Sequence, residues 1–193
     1  MAPQVERRRF TVDAFERMVD AGILGEDERV ELIAGEIVHM SPIGGSHIGC
    51  VNTLSDTLNA SIRDIALISV QNSMYLSSSD QPQPDLTLLR RDTLRTIVPR
   101  VEHVLAVIEA AGSSRAFDRG VKLPLYAAAG IPESWLVDLI AGIIERHTEL
   151  VDGIYRNVVF ARRGESISST VLPSMLLVVD DILGPEINDT ASS

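Results

Sequence analysis

The stretch Val104-Leu-Ala-Val-Ile-Glu-Ala-Ala111 is apolar except for one carboxylate, Glu109. A short apolar run bounded by loop residues reads as a strand covered on both faces, and so as a central strand of its sheet. That single feature calls for a layered fold in which helices or further chain lie above and below a sheet. It also poses a chemical question. A carboxylate in such a strand is costly unless it is paired or holds a cation, or unless it stands at the strand end and reaches solvent. Both readings of Glu109 are open at this point.

The neighbouring segments agree with a mixed fold. Residues 11–24 read as a short helix with Thr11 or Asp13 as cap and Phe15, Met18 and Val19 as its apolar stripe. Residues 29–40 are two β segments hinged at Ala34-Gly35, a hairpin pattern. Residues 41–46 form a loop, and from His47 to about Ile65 the apolar residues Ile48, Val51, Leu54, Leu58 and Ile62 recur at helical spacing. Strands are expected at Ile68–Leu76, Asp85–Leu89, Val104–Glu109, Ser134–Asp138, Ile143–His147, Tyr155–Phe160 and Leu176–Val179. A helix from Asp118 to Ala129 closes at Gly130, ahead of Pro132. The order is helix, hairpin, helix, three strands, helix, then strands: a mixed α/β domain with one sheet. We expect one domain over residues 1–183 and a flexible tail over 184–193.

Composition excludes several classes. With 193 residues, 45% hydrophobic and 23% charged, the chain matches an ordinary globular domain, not a disordered or fibrous one. No apolar run approaches membrane-spanning length, and the basic N-terminus is followed by no apolar stretch of the signal-peptide kind. The single cysteine, Cys50, fits a reducing cytoplasm and is most simply core packing. The net charge of −10 repels phosphate at long range, so any nucleic-acid chemistry needs a local basic groove or metal ions.

No phosphate loop, nucleophile elbow, Cys pair or zinc-binding His pattern is present. What remains is a set of carboxylates and the chain's sole lysine, Lys122, four residues after Asp118 on a helix. A coding bias toward arginine explains that scarcity, and so does a position that needs a compact charge whose pKa burial can tune. Asp85 follows Pro84 at the start of a strand. With Glu109 on an adjacent strand, it would supply the hard oxygen ligands that Mg²⁺ or Mn²⁺ prefers.

The residues Val30–Pro42, His47, Pro84-Asp85-Leu, Val107-Ile-Glu109, Ser113-Ser114 and the block Asp118–Asp138, taken in order, resemble the Uma2 family. The resemblance spans about Phe10 to about Val179. It implies an α/β (α+β) fold with a restriction-endonuclease-like PD-(D/E)XK core, a central mixed β-sheet flanked by helices, and an N-terminal helix and β-hairpin. It further implies a metal-dependent phosphodiesterase acting on DNA. Asp85 matches the motif's Asp and Glu109 its second acid, and both would bind Mg²⁺ (or Mn²⁺). The position where the usual motif has its lysine is Ala111 here, and the resemblance points to Lys122 on the following helix instead. Glu31 takes the place of an additional acid, with Glu36 as the competing choice.

Three further residues are auxiliary candidates. His47, at a helix start, is read as a contact to phosphate or a metal-bound water, or as a capping or merely solvated histidine. Tyr126 is read first as core packing and second as a hydrogen-bond partner of the site. Asp118 either orients Lys122 or complements the helix dipole. Trp135 is expected in the core or an interface. A homo-oligomer, most simply a dimer, follows from the apolar composition and from the need to cut two strands. A basic groove would draw on Arg90, Arg91, Arg95, Arg115 and Arg119. A binding or assembly module that keeps the fold without efficient catalysis, and a hydrolase of another phosphoester, are the competing functions.

Overall fold

The computed structural model describes residues 8–25, 27–40, 42–93 and 97–185. Helix α1 (Val12–Asp20) opens the chain, capped by Thr11, whose side chain accepts from the Ala14 N–H. It is followed by the hairpin strands β1 (Val30–Ile33) and β2 (Glu36–His39). Their two-residue turn puts Ala34 at φ 50° and Gly35 at φ 76°, the positive pair that a tight hairpin turn requires. Gly35 is demanded twice over, because a Cβ there would meet the Arg9 Cβ at 2.7 Å and the Phe10 carbonyl at 3.0 Å.

Helix α2 (Gly45–Ile62) precedes strand β3 (Ala66–Val70). Strand β4 (Leu86–Arg90) and strand β5 (Val104–Ala111) follow. A helical crossover then runs through α3 (Arg115–Phe117), a wide turn at Asp118–Lys122 and α4 (Leu123–Ala129). Strands β6 (Ser134–Asp138), β7 (Ile143–Val151), β8 (Ile154–Arg162), β9 (Ser166–Ser168) and β10 (Leu176–Val178), and helix α5 (Val179–Leu183), complete the order.

The main sheet has six strands in the order β3-β4-β5-β6-β7-β8. Its one parallel pair is β5–β6, joined by the helical crossover, and all other neighbours are antiparallel. The central position of β5 is as its apolar run requires: Ala106, Val107, Ile108 and Ala111 are fully buried. One face of the sheet packs on α2, β9, β10 and α5, with Leu54, Leu58, Trp135, Met175 and Leu177 in its core. The other face packs on α4 through Leu123, Tyr126, Ile131 and Leu136. Trp135 and Cys50 are both core residues.

The mixed fold is the expected one, but several element limits differ. Instead of a single sheet, the hairpin and the β9–β10 pair each form a separate two-stranded sheet. Strand β3 stops at Val70 because Gln71 turns into the left-handed region at φ 50°; the expected strand ran on to Leu76. The crossover helix starts at Arg115 and is interrupted by a π turn, in which the Leu123 N–H reaches the Asp118 carbonyl. Pro124 supplies the cause: it has no N–H for the Gly120 carbonyl and its ring crowds that turn, so the spacing widens. Val179 begins α5 instead of ending a strand, and β9 had no counterpart in the expected order. Most of the expected tail, residues 186–193, lies outside the described residues.

Candidate active site

The sheet register brings the two strand carboxylates together. Leu86 of β4 pairs with Ile108 of β5, so Asp85, one residue earlier, comes beside Glu109 and Ala110. The Ala110 N–H donates to Asp85 Oδ2 at 2.9 Å. Lys122 reaches the same place from the crossover: its Nζ lies 3.2 Å from Glu109 Oε1 and 3.1 Å from Glu31 Oε2. Glu31 arrives from β1, its carboxylate fixed by the Gln83 N–H at 3.1 Å. All four side chains are buried and line one cleft of about 490 Å³, together with His47 and Asp118.

The electrostatics follow from that crowding. Burial pushes the Glu109 carboxyl up to about 8, against the pull of the Lys122 ammonium. For Lys122, burial alone would favour the neutral amine, but Glu109, Glu31 and Asp118 outweigh it and hold the ammonium above its ordinary value. Asp85 is also buried, yet His47, the Ala110 N–H and Gln71 keep its carboxyl below the usual range. At neutral pH the site therefore holds a charged lysine and an ionised Asp85.

The auxiliary candidates divide. His47 Nε2 is 2.9 Å from Asp85 Oδ1. The contact with Asp85 raises the histidine's pKa despite partial burial. Tyr126 is both core and site, fully buried with its hydroxyl donating to Glu109 Oε1. Asp118 lines the cleft, but its nearest partner is the Ser114 hydroxyl, and Lys122 makes its ion pairs with Glu31 and Glu109. Glu36 stays out: it pairs with Ile33 at the turn end of the hairpin, is exposed, and lies 3.9 Å from Arg9.

The expected groove arginines Arg90, Arg91, Arg115 and Arg119 do not line the cleft, whereas Arg29 does. Arg119 binds Asp138 and Glu145, and Arg115 lies 3.5 Å from Asp138. Arg90 donates to the Glu102 carbonyl, while Arg91 lines a separate groove along β3. Arg95 lies outside the described residues. Two residues that the sequence reading passed over do belong to the site: Gln71, which donates to Asp85 Oδ1 at 3.2 Å, and Gln83. The signal for Gln83 was its place between Pro82 and Pro84. Prolines carry no N–H, so Gln83 has the only backbone donor of that tripeptide.

Among the described residues, no three His, Cys, Asp or Glu side chains converge on one cation position. Mg²⁺ does not require such a cage; it keeps several waters and is commonly held by one or two carboxylates with the substrate phosphate. The hard oxygens of Asp85 and Glu109 fit that kind of site.

The protein is an α+β domain with a six-stranded mixed sheet, in which an acid just before β4 and one within β5 share a cleft with a lysine from the helical crossover. Residues 12–180 match the sequence model of the Uma2 family, described as "Putative restriction endonuclease". The chain belongs to the Uma2 family. Its fold is shared by a solved structure from Anabaena variabilis ATCC 29413, described as "a putative nuclease belonging to DUF820". The match has a TM-score of 0.72 and 13% identity, and covers 90% of this chain and 97% of that one. At that identity the likeness is one of fold. No curated protein matches. No helix among the described residues is long and apolar enough to cross a membrane.

Proposed function

We propose that the protein is a divalent-cation-dependent endonuclease that hydrolyses DNA phosphodiester bonds at the Asp85–Glu109–Lys122 cleft. The observation that carries this reading is the buried Lys122 ammonium, 3.1 Å and 3.2 Å from Glu31 and Glu109, in the cleft that Asp85 also lines. Asp85 and Glu109 would hold Mg²⁺ or Mn²⁺. Such a cation would supply Lewis-acid polarisation of the phosphate and would offset the repulsion between the acids and the substrate.

The chain's own residues do the rest. Lys122 stays protonated, since its pKa lies above the ordinary lysine value. Its place between Glu109 and Glu31 suits it to donate to a phosphate oxygen as negative charge grows there. Glu31 holds the ammonium on one side while its own carboxylate is held by the Gln83 N–H. Tyr126 fixes the Glu109 carboxyl by donating its hydroxyl to Oε1. His47 balances the charge on Asp85.

The pairing of Arg115 and Arg119 with Asp138 and Glu145 favours a second reading, a binding or assembly module with weak catalysis, because it ties two arginines of the crossover to acids instead of phosphate. Incubating the purified chain with supercoiled, linear and single-stranded DNA, with Mg²⁺, Mn²⁺ or a chelator, separates the two. Cation-dependent cleavage of any of the three supports the nuclease. Tight cation binding without cleavage of any substrate supports the module.

A further inference from the structure

Gln71 adopts φ 50°, a backbone region that side chains other than Gly, Asn and Asp seldom enter. Such a conformation persists only where the surroundings over-determine it, and residues of this kind gather at functional sites. The surroundings of Gln71 are specific. Its N–H donates to the Asp85 carbonyl at 2.9 Å, and its side-chain amide donates to Asp85 Oδ1 at 3.2 Å. Its own carbonyl accepts from the Gln83 side chain. The backbone N–H of Gln83 in turn donates to Glu31 Oε2 at 3.1 Å.

The chain leaves β3 where its next antiparallel partner would be Asp85, because Val70 pairs with Leu86. What the departure achieves is a grip on the Asp85 carboxylate from two sides: Gln71 on Oδ1 and the Ala110 N–H on Oδ2. We propose that Gln71 is a positioning residue whose left-handed backbone, clamped by Gln83, orients the Asp85 carboxylate for a divalent cation, and that the Gln71–Gln83 pair couples Asp85 to Glu31. The proposal rests on the reading of Asp85 as a cation ligand.

A purely structural role and a positioning role make opposite predictions for Gln71→Gly. Glycine accepts the positive φ without strain, so the variant unfolds at the same temperature as the wild type or higher. Positioning predicts that this equally stable variant nevertheless binds Mn²⁺ about 10- to 100-fold more weakly in calorimetric titration. Gln71→Ala keeps the strain and loses the amide, so it shows the same loss of Mn²⁺ affinity with a lower unfolding temperature than Gln71→Gly. Wild-type Mn²⁺ affinity in Gln71→Gly overturns the proposal. Crystal structures of the metal-free wild type and Gln71→Gly supply the readout that needs no metal. If the wild type itself binds no Mn²⁺, the cation reading of Asp85 fails, and those structures decide the positioning role. An Asp85 carboxylate turned away from the Ala110 N–H in the variant upholds that role, and an unmoved carboxylate overturns it.

Discussion

The Nζ of Lys122 lies 3.1 Å from Glu31 Oε2, which joins the π turn of the crossover to the N-terminal hairpin. The hairpin has no strand pairing with the main sheet; this buried ion pair, the Gln83 N–H and an isolated bridge from Leu32 to Gln81 hold it over the cleft. Charges buried in this way are costly to leave alone. The hairpin and the catalytic candidates therefore depend on each other.

That dependence makes the hairpin turn a sensitive point. Gly35→Ala would force an L side chain into φ 76° and against the Arg9 Cβ at 2.7 Å. We expect a loss of about 1–3 kcal/mol of stability, measured by denaturant unfolding.

Glu133 is fully buried and accepts from Trp135 Nε1, from the Ser169 hydroxyl, and from the N–H and hydroxyl of Thr170. It pins the segment after β9 to the start of β6. Glu133→Ala leaves those donors without an acceptor, for an expected cost of about 2–5 kcal/mol in unfolding free energy. Because Glu133 is absent from the lining of the catalytic cleft, Mn²⁺ affinity at a temperature where the variant is folded should not change.

Acid should weaken the far side of the crossover. Burial alone would raise the carboxyls of Asp138 and Glu145, yet both sit below their ordinary values. The Ala141 N–H and Arg119 bring Asp138 down, and His147 and Arg119 bring Glu145 down. A depressed carboxyl stabilises the fold fully above its unfolded pKa, about 4, and that contribution is lost as pH falls through the lower folded value. Unfolding measured from pH 6 downward should thus show wild-type stability dropping below about pH 4, with a shallower drop for Arg119→Met. At neutral pH that variant should lose about 2 kcal/mol, less than for a fully buried pair because the Arg119 side chain is 40% exposed.

The parts of the fold legible in sequence were those with a strong local pattern. The run around Glu109 announced a central strand, Ala34-Gly35 a hairpin turn, and Gly130 a helix end, and each stands where expected. Asp85, Glu109 and Lys122 were legible as chemistry, and the structure brings them into one cleft with Glu31. The illegible parts are those decided by tertiary contact. Gln71 has the composition of a strand and leaves it only because Asp85 and Gln83 hold it. The π turn needed Pro124 to be read against the carbonyl four residues earlier. The arginines looked available for phosphate because nothing in their spacing revealed that Asp138 and Glu145 would claim Arg119.

The central claim is that Lys122 acts on phosphate in a cleft whose cation is held by Asp85 and Glu109. The most direct measurement is the rate of supercoiled DNA nicking by wild type and Lys122→Met at saturating Mg²⁺, with Mn²⁺ affinity measured on the same samples. The account predicts nicking by the wild type, a fall of at least about 100-fold in Lys122→Met, and retained Mn²⁺ binding. Nicking by Lys122→Met at the wild-type rate would contradict it.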